Sequence, residues 1–485
     1  MRLDALITDD AEVAPSVADV EIGGITCDSR EVRPGYLFAA LPGVNVDGAK
    51  FIPNALEKGA AAILTREAGT DERFVHADNP RQVLAHAAAR FYANQPGTVV
   101  AVTGTNGKTS VVSFVRQIWQ SQGIRAASLG TVGVEVPEDM GDVEQIAHTT
   151  PDPVQLQKVL DQLGQLKITH AALEASSHGL AQYRLDGVRL SAGAFTNISR
   201  DHLDYHESFE DYFAQKMRLF SELLGPGAAA VIDADGDHAA EVIKIAEARG
   251  LTCLTVGRAG KDLKLLSSER HGFGQHLKIG AQGEVYDIYL PLVGDFQVSN
   301  ALVAAGLILA VSSGDAASVL PSLENLTGAV GRLDMVAQTP NGVPVYVDYS
   351  HTPEALATAL AALKPYASDQ LSVVFGAGGD RDPGKRVQMG QAAAEGAGKI
   401  YVTDDNPRTE DPAAIRAMVL EGCPGAVEVA DRRQAIERAL AEAEEGDVVL
   451  IAGKGHEDYQ EVGTEKLHFS DHEEIRAALG GDAHG

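Results

Sequence analysis

Gly104-Thr105-Asn106-Gly107-Lys108-Thr109 is a set of residues suited to phosphate chemistry. It follows the apolar run Thr98-Val99-Val100-Ala101-Val102 and opens a helix-like stretch, Ser110 to Gln122. A strand, a glycine turn and a helix start direct backbone N–H groups and the helix dipole at one point, where an anion is stabilised. Lys108 would neutralise phosphate charge and the Thr109 hydroxyl could bind Mg2+. The general form of such loops has a glycine five positions before Gly107, where this chain has Val102. A chance glycine turn would not bring strand, turn, Lys-Thr pair and helix in this order, so the reading is a phosphate loop of shortened form.

Further polar groups follow apolar runs. Glu174 ends the run Ala171-Ala172-Leu173 and precedes Ala175-Ser176-Ser177-His178-Gly179. A carboxylate at a strand end beside a phosphate loop is placed to hold Mg2+, although a lone loop glutamate is more commonly a solvated charge. Ser199-Arg200-Asp201-His202-Leu203-Asp204-Tyr205-His206 fits both a solvated surface and a set of metal or phosphate contacts. Lys216 lies on a helix-like stretch, Phe209 to Leu224, and its spacing alone assigns it no task. Arg381, Arg408 and Glu457 each follow an apolar run in the last third of the chain. Two guanidinium groups and a carboxylate would suit a ligand carrying both acid and amine groups. A surface ion-pair network is the plainer alternative, and the turn-rich surroundings of both arginines favour the ligand.

The elements that must position these groups are α/β. In the last third, Val343–Val347, Leu371–Phe375, Lys399–Val402 and Val448–Ile451 alternate with helix-like segments. Buried β-branched runs separated by helices predict a parallel sheet. Ligands bind beyond the carboxyl ends of such strands, so the four polar clusters should share one rim. Residues 1–87 read as a small α/β domain, with strands at Gly24–Cys27 and Tyr36–Ala40 and a helix over Pro80–Ala93. Residues 88–329 read as a central phosphate-loop domain with strands near 168–175, 192–198 and 228–233. Gly328-Ala329-Val330-Gly331 would link it to a third, Rossmann-like α/β domain over 330–485.

Composition narrows the function classes. The net charge of −28 argues against nucleic acid or an anionic membrane as a partner, while small anionic ligands need only local Arg and Lys. No apolar run reaches the ~18 residues of a membrane span, and Met1-Arg2-Leu3-Asp4 does not open a signal pattern. Cys27, Cys253 and Cys423 are far apart and lack metal spacing, as expected of a reduced, cytoplasmic protein.

Six motifs in order carry a family resemblance. They are Thr26-Cys27-Asp28-Ser29-Arg30, His148-Thr149-Thr150-Pro151-Asp152, Glu174-Ala175-Ser176-Ser177-His178-Gly179-Leu180, Gly378-Gly379-Asp380-Arg381-Asp382, Asp405-Asn406-Pro407-Arg408 and Gly453-Lys454-Gly455-His456-Glu457-Asp458. With the short loop, which is the family's form and accounts for Val102, the whole chain resembles the Mur ligases, ATP-dependent enzymes that add amino acids to the bacterial cell-wall precursor. The resemblance implies that Cys27, Ser29 and the Val44-Asn45-Val46 turn hold the UDP part of a UDP-N-acetylmuramoyl-L-alanyl-D-glutamate substrate. It implies that His148, Thr149, Thr150, Ser176, Gln182 and Arg184 bind the muramoyl-dipeptide. Gly104 to Ser110 would hold the ATP phosphates, and Asn300, Arg332 and Asp348 the nucleoside. Thr109, Glu174 and His202 would serve Mg2+, joined by Lys216 as a CO2-derived carbamate. Lys108, Glu174, His202 and Lys216 are thus the implied catalytic set. Arg381, Asp405, Asn406, Pro407, Arg408, Gly453 and Glu457 would bind meso-diaminopimelate.

The implied reaction forms an acyl phosphate on the D-glutamate γ-carboxylate, which the incoming amine then converts to an amide. Closure of the third domain onto ATP is expected. Diaminopimelate has a distal carboxylate that lysine lacks, so lysine would leave Arg408 as an unpaired buried charge, at a cost of several kcal/mol. A lysine-adding ligase, a folylpolyglutamate-synthetase-like ligase and a phosphate-loop module without ligase activity are the alternatives. The partners expected are small molecules acting on a monomer.

Overall fold

Apolar runs bounded by turn residues become parallel strands in three separate sheets. The computed structural model describes residues 1–43, 47–67, 71–141, 143–199, 205–312 and 314–480. The first sheet runs in chain order through β1 (Gly24–Thr26), β2 (Tyr36–Ala40), β3 (Ala62–Thr65) and β4 (Phe74–His76), all parallel. Leu37, Ala39 and Leu64 pack there with Leu84 and Ala87 of the Pro80–Phe91 helix. That helix opens with a proline, whose missing N–H costs nothing at a helix start, and Asn79 accepts a hydrogen bond from Gln82 N.

The second sheet has ten strands. They are β5 (Thr98–Thr103), β6 (Ala126–Gly130), β7 (Gly133–Glu135), β8 (His170–Glu174), β9 (Ala192–Phe195), β10 (Ala229–Asp233), β11 (Thr252–Gly257), β12 (Leu263–His271), β13 (Gly274–Ala281) and β14 (Glu284–Leu290). Their order is β14-β13-β12-β11-β10-β9-β5-β8-β6-β7. β5 lies between β8 and β9, parallel to both, so the loop after β5 shares an edge with the residues after those two strands. Val99 to Val102 are fully buried, which fits a strand covered on both faces. The Lys108–Ser121 helix turns Val111, Phe114, Val115 and Ile118 into the core at helical spacing.

Two of the elements that position the site differ from the sequence reading. The helix after the phosphate loop starts at Lys108 rather than Ser110, because Gly107 takes a left-handed φ of 86° at the N-cap. The expected Phe209–Leu224 helix is α-helical only over Phe209–Arg218 and continues as a π turn over Leu219–Leu223. Leu224 N bonds Leu219 O at 3.1 Å across that wider turn, and Leu219, Phe220 and Leu224 all enter the core.

The third sheet has the order β15-β16-β20-β17-β18-β19, from β15 (Asp334–Gln338), β16 (Pro344–Asp348), β17 (Leu371–Phe375), β18 (Lys399–Val402), β19 (Val427–Glu428) and β20 (Val448–Ala452). β16, β20, β17 and β18 are parallel neighbours, so the four polar clusters do follow strand ends on one rim. A hairpin, β21 (Tyr459–Val462) with β22 (Glu465–His468), lies next in the chain.

The chain forms two compact units. One comprises Met1–Leu265, Ile279–Val285 and Ser299–Ser322; the other comprises Leu266–Lys278, Tyr286–Val298 and Leu323–Gly485. The second unit therefore takes in residues ahead of 330. Gly328–Gly331 is tied into it, with Tyr349 N bonding Gly331 O at 2.9 Å and Arg332 N bonding Ala329 O at 2.9 Å. Among the described residues no helix is long and apolar enough to cross a membrane.

Beneath the third sheet, Arg432 and Asp471 form a fully buried, bidentate pair at 2.7 and 2.8 Å, and Arg432 Nη2 also donates to Ala452 O at 3.0 Å. Removing one member strands the other's charge away from water. Asp471→Ala should therefore destabilise the second unit by about 3 kcal/mol, read as a lowered thermal midpoint; an unchanged midpoint would contradict this.

Candidate active site

The phosphate loop is held by its neighbour strand. Thr105 N donates to Asn197 O at 2.9 Å, Asn106 N to Asn197 Oδ1 at 3.0 Å, and the Thr196 hydroxyl to Asn106 O at 2.6 Å. The backbone favours glycine at two positions, with φ of 151° at Gly104 and 86° at Gly107. A Cβ on Gly104 would strike the Thr196 hydroxyl, and one on Gly107 would strike Asn300 Oδ1. Lys108 folds back over the loop, donating to Gly104 O at 2.9 Å and Thr105 O at 2.8 Å.

Lys216 reaches the same loop from the Phe209–Arg218 helix. It is buried and donates to Gly104 O at 2.7 Å, with its ammonium 4.6 Å from the centre of the Tyr212 ring. The Tyr212 hydroxyl in turn meets Thr105 Oγ1 at 3.0 Å. Two lysines that look unrelated in sequence thus converge on one carbonyl oxygen.

Glu174 joins this loop to a second cluster. Its Oε1 accepts from the Thr109 hydroxyl at 2.9 Å and from Thr131 N at 2.8 Å. Its own carbonyl accepts from the Thr150 hydroxyl at 2.7 Å, and that hydroxyl accepts from Ser176 N at 3.1 Å. Thr131 Oγ1 meets Thr149 Oγ1 at 3.0 Å. Arg184 donates to Thr150 O and to Gln182 Oε1, and Gln182 donates to the Tyr205 hydroxyl at 2.9 Å. Burial pulls the Arg184 pKa down, and nearby Asp152 opposes that shift. The structure therefore brings Thr149, Thr150, Ser176, Gln182 and Arg184 together next to the phosphate loop, while His148 is exposed. His206, buried, meets Asp211 Oδ2 through Nδ1 at 3.0 Å.

Cys27 is half-buried at the end of β1, and burial, reinforced by Asp152, pushes its thiol up to about 12. It is thus a neutral group that can pack or donate but not attack as thiolate. Ser29 lends its carbonyl to Lys58 at 2.8 Å. Val44, Asn45, Val46 and His202 lie outside the described residues. Thr109 and Glu174 offer adjacent hard oxygen atoms suited to Mg2+.

In the second unit the rim residues form one network. Asn406 donates to Glu457 Oε2 at 3.0 Å, and its Oδ1 accepts from Lys454 at 3.1 Å and Glu461 N at 3.0 Å. Asp405 O accepts from Gln460 at 2.7 Å. Gly453 has a left-handed φ of 116°, which favours glycine, and a Cβ there would lie 2.6 Å from Asp405 Oδ2. Arg408 and Arg381 flank Gly378, at 3.0 Å and 3.7 Å from where its Cβ would be, and Pro407 O packs against Gly379. The expected cluster is therefore assembled, with Arg381 exposed. One expectation fails. Arg408 has a carboxylate partner already, Glu461 Oε2 at 2.7 Å, so a ligand without a distal carboxylate would not leave it unpaired.

Sequence reasoning passed over Lys454 and Glu461. Lys454 is fully buried and pairs with Glu457 at 3.4 Å. Its place between two glycines in a strand-end motif was the available signal; Glu461 gave none, because its position depends on the hairpin. Also in this unit, Arg332 stacks over Tyr349 at 4.8 Å, and Asp348 accepts from Leu333 N at 2.8 Å and from the Ser350 hydroxyl. Burial raises the Asp348 pKa, with Ser350 and Arg332 opposing. Asn300 belongs to the first unit.

Three stretches match known domain families: residues 21–92 the Mur ligase family catalytic domain, residues 102–308 the Mur ligase middle domain, and residues 331–455 the Mur ligase glutamate ligase domain. The UDP-N-acetylmuramoyl-L-alanyl-D-glutamate–2,6-diaminopimelate ligase of Bradyrhizobium diazoefficiens is 53% identical over 485 residues, 99% of each chain. Its namesake from Brucella melitensis is 51% identical over 473 residues, 96% of each chain. A solved structure of a ligase of that name is 34% identical, covers 100% of both chains and has a TM-score of 0.74. A folylpolyglutamate synthase of Mycobacterium tuberculosis, solved with ADP, shares the fold alone: TM-score 0.62 at 19% identity, over 78% of this chain and 92% of that one.

His456, beside Tyr349 at 5.1 Å between ring centres, supplies a pH test. Burial, with Arg332 adding to it, lowers its pKa from 6.5 to about 4. Between those values the unfolded chain binds the proton and the folded one does not, so stability is full above pH 6.5 and falls as pH drops towards 4, by a few kcal/mol. Chemical denaturation at pH 7 and 4.5 should show that loss, and His456→Gln should remove much of it. An equal loss in the variant would assign the pH dependence to other groups.

Proposed function

The chain belongs to the Mur ligase family, and from that premise we propose that it joins meso-2,6-diaminopimelate to UDP-N-acetylmuramoyl-L-alanyl-D-glutamate, cleaving ATP, in peptidoglycan precursor synthesis. The observation that carries this reading is Glu174. Its carboxylate binds the phosphate-loop threonine, while its carbonyl binds Thr150 in the cluster assigned to the dipeptide. On those assignments one residue would span the group to be transferred and the group that accepts it.

In the first step a γ-carboxylate oxygen of D-glutamate attacks the γ-phosphorus of ATP. An O–P bond forms, the bond to the β–γ bridging oxygen breaks, and ADP leaves. Loop N–H groups from Gly104 to Ser110 and the Lys108 ammonium hold the phosphates, so catalysis is mainly positioning and charge stabilisation. Thr149, Thr150, Ser176, Gln182 and Arg184, with His148, orient the dipeptide. Cys27, Ser29 and the 44–46 turn are assigned to the UDP end. Asn300, Arg332 and Asp348 are assigned to the nucleoside. Thr109, Glu174 and His202 would hold Mg2+, which when bound neutralises phosphate charge. In the second step the neutral amine of diaminopimelate attacks the acyl carbonyl, the C–O bond to phosphate breaks, and the proton the nitrogen loses passes to the departing phosphate. Arg408 and Arg381 are assigned to the distal carboxylate, and Glu457 to an ammonium group.

Lys216 is assigned a carbamate. Two ammonium groups within about 6 Å repel by roughly 3 kcal/mol at an effective dielectric near 20, and CO2 addition at Lys216 would turn that repulsion into attraction. The protein acts in the cytoplasm as a monomer on small molecules, and its charge of −28 fits the absence of nucleic-acid or membrane partners. Domain limits at 1–87, 88–329 and 330–485 belong to the same reading.

Mass spectrometry of products from ATP, the UDP-dipeptide and an equimolar mixture of diaminopimelate and lysine should show the diaminopimelate adduct in large excess. Equal incorporation would overturn the amino-acid assignment. Lys216→Ala and Lys216→Arg should both lose most turnover, because neither forms a carbamate. Near-parental turnover of either variant would remove the carbamate.

A further inference from the structure

We propose that Glu461 is a resident competitor for the incoming distal carboxylate: it holds Arg408 in the free enzyme and transfers to Lys466 when diaminopimelate binds. This rests on the assignment of Arg408 to that carboxylate. Glu461 lies on β21, and its Oε2 is 2.7 Å from Arg408 Nε. The contact is built by backbone as well as charge. Arg408 N donates to Glu461 O at 3.0 Å, and Gly463 N to Arg408 O at 2.7 Å, so the hairpin clasps the residue on both sides. Arg408 also has a left-handed φ of 51°, a conformation unfavourable for a residue with a Cβ and held here by the backbone bonds to the hairpin. Its Nη1 donates to Gly379 O at 2.8 Å, which fixes the guanidinium plane.

A forked carboxylate contact at Arg408 that uses Nε must therefore displace Glu461. The displaced group has a second cation at hand. Lys466 is the cross-strand partner of Glu461 on β22, and its Nζ is 3.5 Å from Glu461 Oε1. Lys466 is itself 59% exposed and rests on the Tyr459 ring at 3.9 Å, so it can follow the carboxylate without unfolding anything. Diaminopimelate would exchange one carboxylate for another at Arg408, whereas lysine would leave the Arg408–Glu461 pair intact. Glu461 thus lowers the affinity for the correct amino acid while keeping Arg408 neutralised between turnovers.

The test is steady-state KM for diaminopimelate and for lysine in the full-length enzyme. Glu461→Gln should lower KM for diaminopimelate roughly threefold, the scale of a partly exposed ion pair, with the change confined to KM and absent for lysine. Lys466→Met, at an exposed site, should raise KM for diaminopimelate. In an Arg408→Ala background Glu461→Gln should have no effect. Parent-like KM values in both single variants, or a raised KM in Glu461→Gln, would overturn the proposal. An Arg408→Ala enzyme that keeps the parental KM for diaminopimelate would instead overturn the assignment on which it rests.

Discussion

Two lysine ammonium groups share the carbonyl oxygen of Gly104, Lys108 at 2.9 Å and Lys216 at 2.7 Å. Much else in the first unit follows from that convergence. It concentrates positive charge at the turn after β5, where the helix start already favours an anion. It also requires the turn to be rigid, which the bonds from Thr196 and Asn197 provide. The helix that continues into a π turn brings Lys216 to a loop more than a hundred residues earlier in the chain. Positive charge so arranged is suited to a transferring phosphoryl group, whose charge is spread over several oxygens.

The second unit meets a different constraint. On the proposed assignment the amino acid is read at both ends by side chains on one rim, and the parallel order β16-β20-β17-β18 supplies that rim. The cations there are matched by acids: Lys454 with Glu457, Arg408 with Glu461, and Arg432 with Asp471 beneath. A buried charge without a partner is costly, and these three cations are paired in the structure. On the proposed assignment of Arg408, selectivity is an exchange of partners rather than the filling of a vacancy.

The sequence made the parallel strands legible because their apolar runs are buried on both faces and end at polar clusters. Arg381, Arg408 and Glu457 were traceable to one rim for the same reason. Glu174 was traceable as a strand-end carboxylate, but its bond to Thr109 was not, because it joins β8 to a helix 65 residues away. Lys216 had no local signal, since its meaning comes from the loop it touches. Glu461 was invisible because only the hairpin register places it against Arg408. The π turn at Leu219–Leu223 was read as α-helix because core packing, not helical spacing, sets it.

On the proposed function the phosphate loop and the Glu174 cluster cooperate to phosphorylate a carboxylate, and oxygen transfer is the test. With the D-glutamate γ-carboxylate of the UDP-dipeptide labelled with 18O, each turnover should deliver one labelled oxygen to the released phosphate, because the carboxylate oxygen bonded to phosphorus leaves with it. Phosphate released without label, alongside normal amide formation, would contradict the account.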